Sequence, residues 1–133
     1  MAVGLVIVAH SAKLAEGVRD VAGQMAGEAV VIRAAGGAAN GALGTNAEAI
    51  AHAIAAAEQG EGVLVLMDLG SAVLSAETAL ELLGEEVARQ VRLSNAPLVE
   101  GAVVAAVESS IGRTLDEVAE AALEARNLTK VMR

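Results

Sequence analysis

The sequence predicts an α/β protein, an open parallel sheet of four strands with helices on both faces. Three observations predict it. Apolar segments of strand length alternate with segments of helical period along the whole chain. Residues 3–9 and 63–67 are apolar almost without a break and rich in Val, Ile and Leu, as strands covered on both faces are. Strand and helix segments in alternation give βαβ units and a parallel sheet. The chain is 133 residues long and 55% apolar, enough for one core, so a single domain over residues 1–133 is expected.

The elements follow in order. The first strand, residues 3–9, ends at His10. Ser11 is a helix cap, and Leu14, Val18, Val21 and Met25 recur at three- and four-residue spacing, so a helix should run to about Met25. AVVIR, residues 29–33, reads as a second strand. A glycine-rich stretch, residues 36–44, leads to Thr45 and Glu48, a T-x-x-E capping box. The helix it opens runs to about Gln59, with Ile50, Ile54 and Ala57 on one face. VLVLM, residues 63–67, is the third strand. The turn Asp68-Leu69-Gly70-Ser71-Ala72 enters a helix that directs Val73, Ala76, Leu80 and Leu83 inward and stops at Gly84. Residues 87–93 form the fourth strand. Pro97 sits just inside the next helix, where its missing N–H is harmless. That helix, residues 98–108, is apolar nearly all round. Thr114 and Glu117 make a second capping box for a final amphipathic helix.

Composition excludes much chemistry. With 9 basic and 17 acidic residues the net charge is −8, which argues against nucleic-acid binding. There is no Phe, Tyr or Trp, so no aromatic surface can stack bases. There is no Cys, which removes disulfides, thiol catalysis and cysteine metal sites, and which fits the cytoplasm. The first apolar run is far short of the roughly 20 residues of a spanning helix, and no basic segment precedes it as in a signal peptide. Neither G-x-x-x-x-G-K-[ST] nor G-x-G-x-x-G occurs.

In open α/β sheets ligands bind beyond the carboxyl ends of the strands. Those positions carry His10 and Ser11, then Gly44-Thr45-Asn46, then Asp68 to Ser71, then Ser94 and Asn95. The first three lead into helix N-termini, whose free N–H groups favour anions. His10 can act as a nucleophile that carries a phosphoryl group on a ring nitrogen; the other reading is a histidine satisfied by local hydrogen bonds. Asp68 would lie beside His10 in a sheet ordered 2-1-3-4, and would fix its tautomer; the other reading is a helix cap. Thr45 and Ser71 are equally caps or phosphate donors. His52, opposite in phase to Ile50 and Ile54, is a solvated surface residue. With one other histidine in the chain, a metal site at His10 is not expected.

Four stretches carry a resemblance: LVIVAHSAKLAEGV at 5–18, GTN at 44–46, MDLGSAVLSAETALELL at 67–83 and APLVEG at 96–101. On these the chain resembles the DhaM family, the phosphotransferase subunits of phosphoenolpyruvate-dependent dihydroxyacetone kinases. These are relatives of the mannose-type IIA domains of the bacterial sugar phosphotransferase system. The seventeen-residue stretch at 67–83 is the most specific. The resemblance implies the IIA-mannose fold with strand order 2-1-3-4, and a homodimer. It implies that His10 is the phosphorylated residue, that Asp68 orients it, and that Ser11, Thr45, Gly70 and Ser71 surround the phosphate. It implies HPr as phosphoryl donor, and as acceptor ADP held on the DhaL subunit, which phosphorylates dihydroxyacetone bound to DhaK. No cofactor or metal is expected on this chain, and no membrane or nucleic-acid partner. The alternatives are a sugar-specific mannose-type IIA domain, in which a GGSPF-like turn is expected where this chain has Asp68 to Ala72, and a non-catalytic regulatory module. The all-round apolar helix at 98–108 also suggests a homodimer, with part of its surface covered by a second chain.

Overall fold

The computed structural model of the chain describes residues 2–132. Four parallel strands form one sheet in the order β2-β1-β3-β4. They are β1 (Gly4–Ala9), β2 (Ile32–Gly36), β3 (Val63–Met67) and β4 (Val91–Leu93). Among the described residues six α-helices connect and follow them: α1 (Ala12–Ala26), α2 (Ala47–Ala57), α3 (Ser71–Leu83), α4 (Glu85–Ala88), α5 (Leu98–Ser110) and α6 (Leu115–Glu124). β1 and β3 are buried over their whole length, which is why both read as unbroken apolar runs. Alternate residues serve opposite faces. Leu5, Ile7, Leu64 and Leu66 pack with α1, α5 and α6, while Val6, Val8, Val63 and Val65 pack with α2 and α3.

Several elements sit differently from the sequence reading. The second strand starts at Ile32 rather than 29, because Gly27 turns the chain at φ 69° and residues 27–29 form a 3-10 turn. The sheet decides the register: Leu5 pairs with Ile32 and Ala9 with Gly36. The fourth strand is only three residues long, since Gly84 at φ 92° redirects the chain and residues 85–88 coil into α4. Pro97 stands one residue before α5, in extended conformation at φ −62° and ψ 136°, rather than inside it. The second capping box at Thr114 and Glu117 is present, with both reciprocal bonds.

The inward faces of the helices are lined by alanine. In α1 the buried positions are Ala15, Val18, Ala22 and Ala26; Leu14, Val21 and Met25 are half exposed. In α3 they are Ala72, Ala76 and Ala79, with Val73, Leu80 and Leu83 only partly covered. Small side chains let a helix axis approach the sheet. Where α1 crosses the end of β2 the approach is so close that a Cβ on Gly36 would lie 2.5 Å from the Ser11 carbonyl oxygen. The all-round apolar character of α5 has a similar origin. Gly101, Ala102, Ala105 and Ala106 are buried where α5 packs with α1, α6 and the sheet, while Val103, Val104 and Val107 are only partly covered and Val99 is exposed. Among the described residues no helix is long and apolar enough to cross a membrane.

Candidate active site

The pairing of β1 with β3 sets the site. Val8 lies opposite Met67, so the residues that leave the two strands, His10 and Asp68, emerge side by side at the carboxyl edge. The Asp68 N–H donates to the Val8 carbonyl at 3.1 Å, which fixes the backbone there. The Asp68 carboxylate then accepts three bonds. The His10 backbone N–H donates to Oδ2 at 2.9 Å, His10 Nδ1 lies 2.9 Å from Oδ1, and the Leu69 N–H donates to Oδ1 at 2.8 Å. Burial by itself pushes this carboxyl up. The His10 N–H, the His10 ring and the Leu69 N–H outweigh that penalty and hold it below the ordinary aspartate range. It is therefore ionised at neutral pH and can only accept, so Nδ1 carries the proton in the pair.

In the neutral ring the second nitrogen is then an acceptor. Nε2 lies 2.6 Å from Ser71 Oγ, so the serine hydroxyl donates to it. His10 retains 28% side-chain exposure and Asp68 11%, and the Nε2 contact with Ser71 is the exposed one while the Nδ1 contact with Asp68 is partly buried. Beside Asp68 lies an open depression of about 160 Å³, lined in part by Gly70, Ser94 and Asn95.

The roles of the neighbouring hydroxyls divide. Ser11 caps α1, accepting from the Leu14 N–H at 3.3 Å. Ser71 does not cap α3: Gly70 holds the cap position without a side-chain bond, and Ser71 is spent on His10. Asp68 likewise caps no helix. Thr45 is not the cap of α2, contrary to the capping box read from sequence. Asn46 is, accepting from the N–H groups of Glu48 and Ala49. One amide side chain takes both donors, so Thr45 is left over. Its Oγ1 lies 2.5 Å from Ser75 Oγ on α3. The loop that carries Thr45 is tied to the site by the Gly44 N–H, which donates to the His10 carbonyl at 2.8 Å. The sequence places Asn46 on the rim but not as the cap, and Ser75 escaped sequence reasoning; the spacing of Ser71 and Ser75, one helical turn, is the signal that could have found Ser75. His52 is exposed on α2. Among the described residues no group of three or more His, Asp or Glu side chains could hold a metal ion.

The family model described as PTS system fructose IIA component, EIIA-man, matches residues 4–119. The chain belongs to this family. Within it the curated relatives point to the DhaM branch. The chain is 46% identical over 109 residues to the phosphoryl donor subunit DhaM of PEP-dependent dihydroxyacetone kinase 2 of Listeria innocua, covering 82% of this chain and 87% of that one. It is 47% identical over 130 residues to the corresponding Escherichia coli subunit, covering 93% of this chain but only 28% of that protein. Among solved structures, a protein of unknown function, EF1359, superposes with a TM-score of 0.83 at 34% identity, over 93% of this chain and 95% of that one. The EIIA-man fold and the order 2-1-3-4 are thus those the sequence led us to expect.

Proposed function

We propose that the chain is a phosphocarrier that takes a phosphoryl group from phospho-HPr onto His10 Nε2. It then passes the group to ADP on a DhaL subunit, for phosphorylation of dihydroxyacetone bound to DhaK. The observation that carries the reading is the orientation of the His10 ring, with Nδ1–H held by Asp68 and Nε2 facing outward under a single hydroxyl. The DhaM relatives, phosphoryl donor subunits of dihydroxyacetone kinases, supply the substrate class.

The chemistry balances without moving a proton. The Nε2 lone pair attacks phosphorus as the bond to HPr breaks, and HPr leaves with that bonding pair. The product ring carries phosphate on Nε2 and hydrogen on Nδ1, so it is formally cationic, and the Asp68 carboxylate faces that charge. Ser11, Thr45, Gly70 and Ser71 surround the phosphate in this reading. Ser71 Oγ already sits on Nε2 and needs only to turn its donor to a phosphate oxygen. Transfer onward is the reverse: a β-phosphate oxygen of ADP attacks phosphorus, the N–P bond breaks, and His10 returns to its resting tautomer. Positioning and charge are what such a transfer needs from the protein.

The two partners must reach the same edge in turn, so they compete for it. Leu43, Leu69 and Leu74 are exposed within a few residues of site residues, so apolar contact rather than ion pairing dominates the docking. A homodimer and a cytoplasmic location belong to the same reading. Incubation with phosphoenolpyruvate, enzyme I and HPr should add one acid-labile phosphoryl mass, which ADP-loaded DhaL then removes. Removal by a sugar-specific IIB domain instead would assign the chain to sugar transport, and no mass gain would leave a regulatory module.

A further inference from the structure

We infer that Ser75 is a positioning residue, which aims the Thr45 hydroxyl at the phosphoryl group carried by His10. The inference rests on the phosphocarrier reading. Thr45 stands where a helix cap is expected, yet Asn46 satisfies both the Glu48 and Ala49 N–H groups. The threonine hydroxyl is thus released from local work. It is held from α3, by Ser75 Oγ at 2.5 Å. Ser75 lies one turn after Ser71, so the two hydroxyls share a face of α3. Ser71 meets His10 Nε2, and Ser75 meets the residue that follows Gly44, itself bonded to the His10 carbonyl. Nearby on the same helix, Thr78 uses its hydroxyl in the ordinary way, donating to the Leu74 carbonyl one turn back.

A hydroxyl has one hydrogen to donate and two lone pairs to accept with. If Ser75 donates to Thr45, the Thr45 hydrogen is free for a phosphate oxygen, and the chain of bonds polarises it further. Once a dianionic phosphoryl group stands on Nε2, the field favours that direction. Ser75 then acts on the phosphate through Thr45 without touching it.

The test compares phosphohistidine lifetime after removal of HPr in Ser75→Ala, Thr45→Ala, the double variant, Ser75→Thr and the control Thr78→Ala. Ser75→Ala and Thr45→Ala should each lose the phosphoryl group on the order of tenfold faster, the scale of one charge-assisted hydrogen bond. The double variant should be no faster than either single one. Ser75→Thr should restore the lifetime, and Thr78→Ala should match the parent. An unchanged lifetime in Ser75→Ala, or effects that simply add, would overturn the inference while leaving the carrier intact. So would a lowered melting temperature with an unchanged lifetime. A parent chain that accepts no phosphoryl group defeats the carrier reading itself, and the role of Ser75 with it.

Discussion

Two connections carry a strand end into a helix beside His10, and they are built in opposite ways. After β3 the turn is three residues, 68–70, and side-chain bonds from Asp68 lock it to the neighbouring strand end. After β2 the loop is ten residues, 37–46, with Gly37, Gly41 and Gly44 all at positive φ. It is held mostly by backbone bonds, two within the loop (Ala38 N–H to the Ala42 carbonyl at 2.8 Å and Gly41 N–H to the Ala38 carbonyl at 2.9 Å) and two to the end of the first strand (Gly37 N–H to the Ala9 carbonyl at 3.2 Å and Gly44 N–H to the His10 carbonyl at 2.8 Å). The short turn leaves a central strand, where neighbours on both sides fix every atom. The long loop leaves an edge strand with one neighbour. Precision in the ring orientation comes from the first, and in the proposed reading the second brings Thr45 to the phosphoryl group.

The sharpest way to test that division is to remove the group both connections enclose. His10→Ala should abolish phosphoryl acceptance, read by intact mass, while circular dichroism stays unchanged. His52→Ala should accept phosphate as the parent does, because His52 is an exposed residue of α2 outside the His10–Asp68–Ser71 bonds. The opposite pair of phenotypes would move the chemistry out of the β1–β3 edge altogether.

Next in size is Asp68→Asn. The orienting carboxylate of a serine protease is worth about 10⁴ in turnover. A loss of about 10–10³ is expected here, since phosphoryl transfer relies more on charge and position. The same residue leaves a mark on stability. Its carboxyl is held below the ordinary value, so its contribution is full above about pH 4 and disappears as pH falls through the lowered value. Acid unfolding of Asp68→Asn should therefore lack that share of the pH dependence below pH 4. Transfer rates equal to the parent's would reduce the Asp68 bonds to a structural tie.

The two connections also differ in how far the sequence discloses them. The third strand is legible to the residue, because an unbroken apolar run stops at a carboxylate, and its turn is legible in place though two residues shorter than the sequence suggests. The second strand is not. Its residues, IRAAG, include weak strand formers, and register with β1 rather than propensity places them. The three-residue shift from 29–33 follows from that. The last strand is misjudged for a related reason: Val87 is apolar because it packs from α4 onto the core, not because it extends. The inward face of α2, Ile50, Ile54 and Ala57, is buried as its sequence pattern indicates, whereas the stripe of α1 is legible in period but only partly in phase. Leu14, Val21 and Met25 draw the eye as the core stripe of α1, while the sheet takes the alanines beside them. In a chain without aromatic residues, close approach of small side chains replaces bulk as the means of filling the core.

That close approach predicts the third effect. Gly36→Val would set a side chain 2.5 Å from the Ser11 carbonyl and 2.9 Å from the Ala15 Cβ, neither of which can swing away. Urea unfolding should show a loss of about 1–3 kcal/mol, the usual scale of overpacking. Phosphoryl acceptance should fall less than in Asp68→Asn, because β1 and β3 still hold the ring. A loss of acceptance as complete as that of His10→Ala would mean that the edge strand, and not the central pair, positions the histidine.

The smallest effect separates two adjacent residues of the long loop. Asn46→Ala removes the side chain that accepts the Glu48 and Ala49 N–H groups, so it should lower stability by about 1 kcal/mol. Thr45→Ala removes no cap but loses the hydroxyl bond to Ser75, and should lower stability by about 0.5 kcal/mol, the low end for one hydrogen bond. In phosphohistidine lifetime the order should reverse, with Thr45→Ala the more severe. The sequence alone assigns the cap to Thr45 through its spacing from Glu48. If denaturant unfolding found Thr45→Ala the more destabilising of the two, that capping box would be real and the hydroxyl would not be free for the site. If Asn46→Ala is the less stable and Thr45→Ala the faster to lose phosphate, fold and chemistry divide between two consecutive side chains.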